Sequence, residues 1–180
     1  MTRPAVFMRA LATTATLRLA HADDLAALNG VIERAIMTWR LPERVKRLSL
    51  PSYRYHPHDL DHLHLVVAEN ADRVVIGVAA WETVHPRDLR TSQHGLLLHG
   101  LYVDPAYQRR GAGARLLEAV ETAAQAQGFD GVLAKAQADA VAFFEASGWQ
   151  RLPIEDPKRD YPHRFWRIAR SKTGPAVARH

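Results

Sequence analysis

The segment Leu101-Tyr-Val-Asp-Pro-Ala-Tyr-Gln-Arg-Arg-Gly-Ala-Gly-Ala-Arg-Leu-Leu117 constrains this chain more than any other. An apolar strand stops at Pro105, a glycine-bearing loop turns, and a helix begins near Gly111. That helix carries Leu117, Val120 and Ala124 on one face and Glu118, Glu121 and Gln125 on the other. The first N–H groups of a helix have no partner within it and stand at the positive end of its dipole. Gly111 and Gly113 lack a Cβ, so a phosphate can approach the backbone closely, and Arg109 and Arg110 add positive charge at the same mouth. The segment reads as an anion cradle, with pyrophosphate as its natural size.

Three kinds of cradle compete for it. A nucleotide triphosphate loop needs Gly-x-x-x-x-Gly-Lys-Ser/Thr, which the chain does not contain. A dinucleotide turn needs Gly-x-Gly-x-x-Gly, and its third position falls on Leu116. The third pattern, Gln/Arg-x-x-Gly-x-Gly/Ala, is met in full by Gln108-Arg109-Arg110-Gly111-Ala112-Gly113. Downstream, Gln137-Ala-Asp-Ala140-Val-Ala-Phe143-Phe144-Glu145-Ala-Ser-Gly148-Trp149 follows in order. With these two stretches the sequence resembles the GNAT superfamily of acetyl-CoA-dependent N-acetyltransferases, whose later motif is Asn-x-x-Ala-x-x-Phe-Tyr-Glu-x-x-Gly-Phe. The resemblance is strong over 95–152 and rests on element order over the rest of 15–170.

The elements suit an α/β chain. Leu17–Ala20 alternates as a short strand, and Asp23 or Asp24 can cap a helix that runs to about Trp39. Pro42 opens a weaker helical segment, which Pro51 ends, and residues 51–62 form a polar, aromatic loop. Leu63–Glu69 and Val74–Thr83 make an antiparallel hairpin across the turn Asn70–Arg73. Strands follow at Gly95–Asp104 and Gly131–Ala136, joined by the helix that Gly128 stops. A short helix at 139–147 and closing strands at Trp149–Leu152 and Phe165–Ala169 complete the chain. Hairpin followed by strand–helix–strand–helix predicts one mixed sheet flanked by helices in a single domain.

The resemblance implies a V-shaped sheet that splays open beside the signature loop. Acetyl-CoA would lie there, its pantetheine paired to the backbone of Leu101, Tyr102 and Val103. Its pyrophosphate would rest on Gln108, Arg109, Arg110, Gly111, Ala112, Gly113 and Ala114, and Gln137, Phe143 and Phe144 would flank the thioester. Two residues depart from the family pattern. Phe144 stands where a tyrosine often protonates the CoA thiolate, and Gln137 where an asparagine contacts pantetheine. By strand alternation Tyr102 points away from the His99 face, which makes it a poor substitute donor. The amine must shed its proton before attack, and His99 on the motif strand is the candidate base. The implied reaction is direct attack of a primary amine, on a small molecule or a protein, in a ternary complex. Two other readings stay open: a CoA-binding module weakened by Phe144, and nucleic-acid association through a basic tail.

Composition narrows the field. A chain of 180 residues suits one domain, and 47% hydrophobic with 24% charged residues is globular. Without cysteine there is no thiol nucleophile, disulfide or cysteine-held metal, which fits a reducing cytoplasm. Residues 1–150 hold 16 basic and 16 acidic residues, and the last thirty hold 8 and 3, so the net +5 belongs to the C-terminal stretch. Charge confined to one stretch suits a solvated tail at 171–180 better than a phosphate-tracking face. No apolar run would cross a bilayer, and Arg9 interrupts the only leader-like stretch, so residues 1–14 read as a loose arm. His56, His58, His62 and His64 cluster, but no third ligand pairs clearly with His62 and His64, and no metal is expected. Tyr53, Tyr55, His56, Asp59 and Asp61, with the late loop bearing Glu155, Asp156 and Asp160, are candidates to border the acceptor. Pairing into a homodimer is a further expectation from the resemblance.

Overall fold

Two apolar runs, Leu65–Ala68 and Val75–Trp81, carry no charge and become adjacent strands with both faces buried. They are β2 (His64–Glu69) and β3 (Val75–Thr83), an antiparallel pair with Val67 opposite Val78. The computed structural model describes residues 15–89 and 92–169. The expected arm at 1–14 and tail at 171–180 lie outside the described residues. Around the hairpin stand β1 (Thr16–Leu19), β4 (Gly95–Val103), β5 (Gly131–Lys135), β6 (Gln150–Arg151) and β7 (Arg164–Ile168). Among the described residues the sheet has seven strands in the order β1-β2-β3-β4-β5-β7-β6, with only β4 and β5 parallel. The mixed sheet flanked by helices is the expected one.

Two helical layers cover it. Helix α1 (Leu25–Met37) buries Leu28, Val31, Ile32 and Ile36, at helical spacing, against Leu65, Val67, Val78 and Ala80. On the opposite face α3 (Ala112–Ala126) buries Leu116, Leu117, Val120 and Ala124 against Val66, Ala68, Ala79 and Val132. Neighbouring residues of β2 serve opposite cores, as period-2 side chains must. Gly128, at φ 72°, ends α3 in the left-handed region. Two shorter helices, α2 (Glu43–Ser49) and α4 (Val141–Ala146), complete the layers. The aromatic loop is more ordered than the sequence suggested: Leu50–Tyr53 and Pro57–Asp61 are 3-10 turns, the second closed by Asp59 accepting the His56 N–H at 2.6 Å. Among the described residues no helix is long and apolar enough to cross a membrane.

Edge strand β1 is pinned by charge. Arg18 donates to both carboxylate oxygens of Asp24, at 2.7 and 2.8 Å, and to Glu69 Oε1 at 2.7 Å. Its guanidinium holds the Asp24 carboxyl down at about 2. An unfolded aspartate titrates near 3.9, so this contact stabilises the fold above about pH 4, and the contribution is lost as pH falls toward 2. Arg18→Met should flatten that part of the acid-unfolding curve, measured by circular dichroism against pH. An unchanged slope would show that Asp24 is not held by Arg18 in solution.

Candidate active site

Register opens the sheet at its centre. Strands β4 and β5 pair from Gly95–Gly131 to Leu98–Ala134 and no further, although β4 continues to Val103. Against β3, Trp81 pairs with Leu98 but Ala80 pairs with Gly100, so His99 is an extra residue, a β-bulge. Beyond it the Asp104 N–H binds the Ile76 carbonyl at 2.9 Å. Alternate residues send both backbone groups the same way. Gly100 and Tyr102 therefore face β3, while Leu101 and Val103 turn N–H and C=O into the gap. The stretch from His99 to Val103 spans about 13 Å, an open edge for an extended arm.

The cradle closes one end of this gap. Asp104 caps the turn Pro105–Tyr107 by accepting the Ala106 N–H at 3.0 Å, and Arg34 of α1 grips the same carboxylate at 2.7 Å. An aspartate before proline is a cap signal, so this anchor was readable in the sequence. Arg109 (φ 59°) and Gly111 (φ 90°) are both left-handed, which curls the backbone so that successive N–H groups converge. A Cβ on Gly111 would touch nothing within 4 Å, so its conformation, not space, calls for glycine. The helical bonds begin with Arg115 N–H to the Gly111 carbonyl at 3.1 Å, which leaves the N–H groups of Ala112, Gly113 and Ala114 without an i−4 partner. The Arg110 guanidinium lies 5.6 Å above the Tyr107 ring. Gln108 turns inward instead, its Nε2 donating to the Val103 carbonyl at 3.1 Å, and Ala112 is buried.

The two phenylalanines separate. Phe144 is a core residue, stacked on Phe165 and edge-on to Trp149, each at 5.2 Å between centroids. Phe143 turns toward the cradle, where a Cβ on Gly113 would sit 3.2 Å from its ring and 3.6 Å from Val103 Cγ2. Gln137, just past β5, donates Nε2 to the Tyr53 hydroxyl at 2.8 Å.

Around His99 the site is phenolic. The bulge corrects the expectation from simple alternation, because His99 and Tyr102 both come to the face covered by Tyr55. The rings of His99 and Tyr55 are 6.0 Å apart. A Cβ on Gly100 would lie 2.6 Å from the Tyr55 hydroxyl and 2.8 Å from the Tyr102 ring. Burial pushes the Tyr102 hydroxyl well above the usual phenol range, and nearby Tyr55, Tyr53 and Tyr161 push it further. Burial does the same to Tyr55. Four of the five tyrosines thus converge here. Tyr53 leans edge-on against Trp39 at 5.3 Å, and Asn29 clamps Tyr55 through its backbone at 2.8 and 2.9 Å. Trp39 and Asn29 were not singled out from the sequence, for nothing in their spacing marks them, and Tyr161 entered only as part of the late loop.

Three of the acidic candidates, Asp59, Asp156 and Asp160, are occupied locally. Asp160 pairs with Arg164 at 2.8 Å and accepts the N–H groups of Glu155 and Asp156, which closes its own loop. Asp59 closes a turn, and the His56 ring stacks on His58. Among the described residues no group of three His, Asp or Glu side chains could hold a metal ion. A groove of about 870 Å³, bordered by Asp130, Trp166 and Ile168, lies away from the glycine turn.

A central divergence fed by a strand–turn–helix cradle defines the fold of an acetyltransferase. The acetyltransferase (GNAT) family model matches residues 33–149, and the chain belongs to that family. Solved structures share the fold. PaiA N-acetyltransferase from Thermoplasma acidophilum, crystallised with coenzyme A, superposes with a TM-score of 0.67 at 15% identity, over 86% of this chain and 99% of that one. A GNAT acetyltransferase from Staphylococcus aureus Mu50 gives 0.62 at 13%, over 87% and 100%. One from Brucella melitensis, in complex with acetyl-CoA, gives 0.58 at 18%, over 91% and 90%. No curated protein matches the sequence.

Proposed function

We propose that this chain transfers an acetyl group from acetyl-CoA to a primary amine by direct attack in a ternary complex. The observation that carries this reading is the open β4 edge at Leu101 and Val103, which ends at the glycine turn. The pyrophosphate would rest on the free N–H groups of 112–114 beside Arg109 and Arg110, and the pantetheine would add to the edge as a short strand. Structural relatives in complexes with coenzyme A and acetyl-CoA support that donor. Because Val103 adjoins Gly113, it would pair with the pantetheine near its pyrophosphate end. The thioester carbonyl would then lie toward Leu101, whose N–H polarises it.

His99, exposed on the bulge, would take the proton that the attacking amine sheds. The chain has no cysteine for a thiol acyl-enzyme, and holding amine and thioester together supplies most of the rate. The acceptor wall is aromatic: Tyr53 and Tyr161, both partly exposed, offer hydroxyls to orient a polar acceptor, and Tyr55 and Tyr102 pack behind them. Calorimetry should show saturable acetyl-CoA binding and none with ATP or a nicotinamide dinucleotide. A thiol-release screen over small amines, peptide N-termini and lysine peptides should then find turnover. Binding without release on any amine would leave a CoA-binding module, and no binding would end the reading.

A further inference from the structure

We propose that Tyr53 is the proton donor to the departing CoA thiolate and that Gln137 is the positioning residue that holds it; this rests on the acetyl-transfer reading above. The thiolate leaves from the gap between β4 and β5. Gln137 stands three residues past the last β4–β5 pair, at Ala134, and reaches across to Tyr53 on the opposite wall. Its Nε2 donates to the Tyr53 oxygen at 2.8 Å, so that oxygen is already an acceptor and its own proton is free to point elsewhere. Trp39, edge-on at 5.3 Å, fixes the ring. A hydrogen bond into a phenol oxygen also stabilises the phenolate left after proton transfer.

The other phenols are worse placed. The Tyr55 hydroxyl lies against Gly100 in the core, and burial makes both Tyr55 and Tyr102 weaker acids. Phe144 has no proton and is packed among aromatic rings. The two departures in the downstream motif then compensate each other. The donor has moved from the α4 position to the 50–53 turn, and glutamine has the extra methylene needed to reach it.

The amine nitrogen bonds to the acyl carbon and the C–S bond breaks with its electron pair on sulfur. Sulfur takes the proton of the Tyr53 hydroxyl, the nitrogen's proton passes to His99 and solvent, and solvent returns one to the phenolate. The products are the amide and the free thiol.

Tyr53→Phe should lower kcat roughly a hundredfold, the size of a general-acid contribution, while KM for acetyl-CoA stays unchanged. Gln137→Glu keeps the shape but offers an ionised acceptor, which draws the tyrosine proton to itself, and it should lose rate similarly. Replacing Tyr53 by a ring-fluorinated tyrosine, isosteric but more acidic, should move the alkaline limb of kcat to lower pH. A side chain that only packs would move neither that limb nor kcat in the glutamate variant. A Tyr53→Phe enzyme within about twofold of wild-type kcat, or a limb that ignores fluorination, would overturn the proposal. Wild-type turnover and calorimetric acetyl-CoA binding are measured alongside. If they hold while Tyr53 proves silent, only this inference falls; if wild type releases no thiol, both readings fall.

Discussion

Replacing Gly113 with aspartate should weaken acetyl-CoA binding by about a hundredfold or more and leave the fold intact. The position lies in the first turn of α3, where the N–H groups of 112–114 have no helical partners. A carboxylate about 5 Å from a phosphate charge is repelled by about 3 kcal/mol at an effective dielectric near 20, and salt screening reduces this. Geometry adds a steric term, since a Cβ here would stand 3.2 Å from the Phe143 ring and 3.6 Å from Val103 Cγ2. Phe143 is half-buried and its ring edge can give, so Gly113→Ala should cost only a few-fold in affinity. Gly113→Asn separates the terms, for it matches aspartate in shape and carries no charge. Calorimetric titration of the three variants should rank alanine and asparagine near wild type and aspartate far below. Equal losses for asparagine and aspartate would mean that the loop holds no anion.

Much of this architecture is legible in the residues. Continuous apolar runs at 65–68 and 75–81, helical spacing of Leu117, Val120 and Ala124, and stops at Pro105 and Gly128 are local signals, and local signals survive folding. The Gln108–Gly113 turn was legible for the same reason, as a pattern of small and charged residues next to one another. The phenolic wall was legible only in part: Tyr53, Tyr55 and the late loop that carries Tyr161 stood out, but the place of Tyr102 among them did not. Tyr53, Tyr102 and Tyr161 are far apart in the chain, and only the folded sheet brings them near one another. The bulge at His99 was equally silent, since one extra residue in a strand leaves the composition unchanged while it reverses which face each later side chain takes. Gln137 looked like a mild exchange for asparagine until its partner, 84 positions away, was in view.

The largest loss of stability is expected from Gly131→Ala, at the apex of the divergence. Here β4 and β5 are directly paired, Gly95 opposite Gly131, and a Cβ on Gly95 would lie 2.5 Å from the Gly131 carbonyl oxygen. A Cβ on Gly131 would lie 2.5 Å from Trp166 Cζ2 and closer still to the Arg167 carbonyl oxygen. One obstacle is the backbone of β7, which is paired to β5 along its length, and the other is a buried indole. Neither can withdraw cheaply, so overpacking should cost about 3 kcal/mol, which lowers Tm by roughly 10 °C in a chain of this size. Gly128→Ala is the contrast, since nothing lies within 4 Å and only its φ of 72° is strained. That variant should lose about 1 kcal/mol. A shift of β5 against β4 would be carried along the pair to where it ends at Ala134, so a folded Gly131→Ala protein should also bind acetyl-CoA more weakly, although residue 131 lies at the far end of β5 from the gap. A Gly131→Ala melting curve that overlays that of Gly128→Ala would show that strand contact at the apex does not set the divergence.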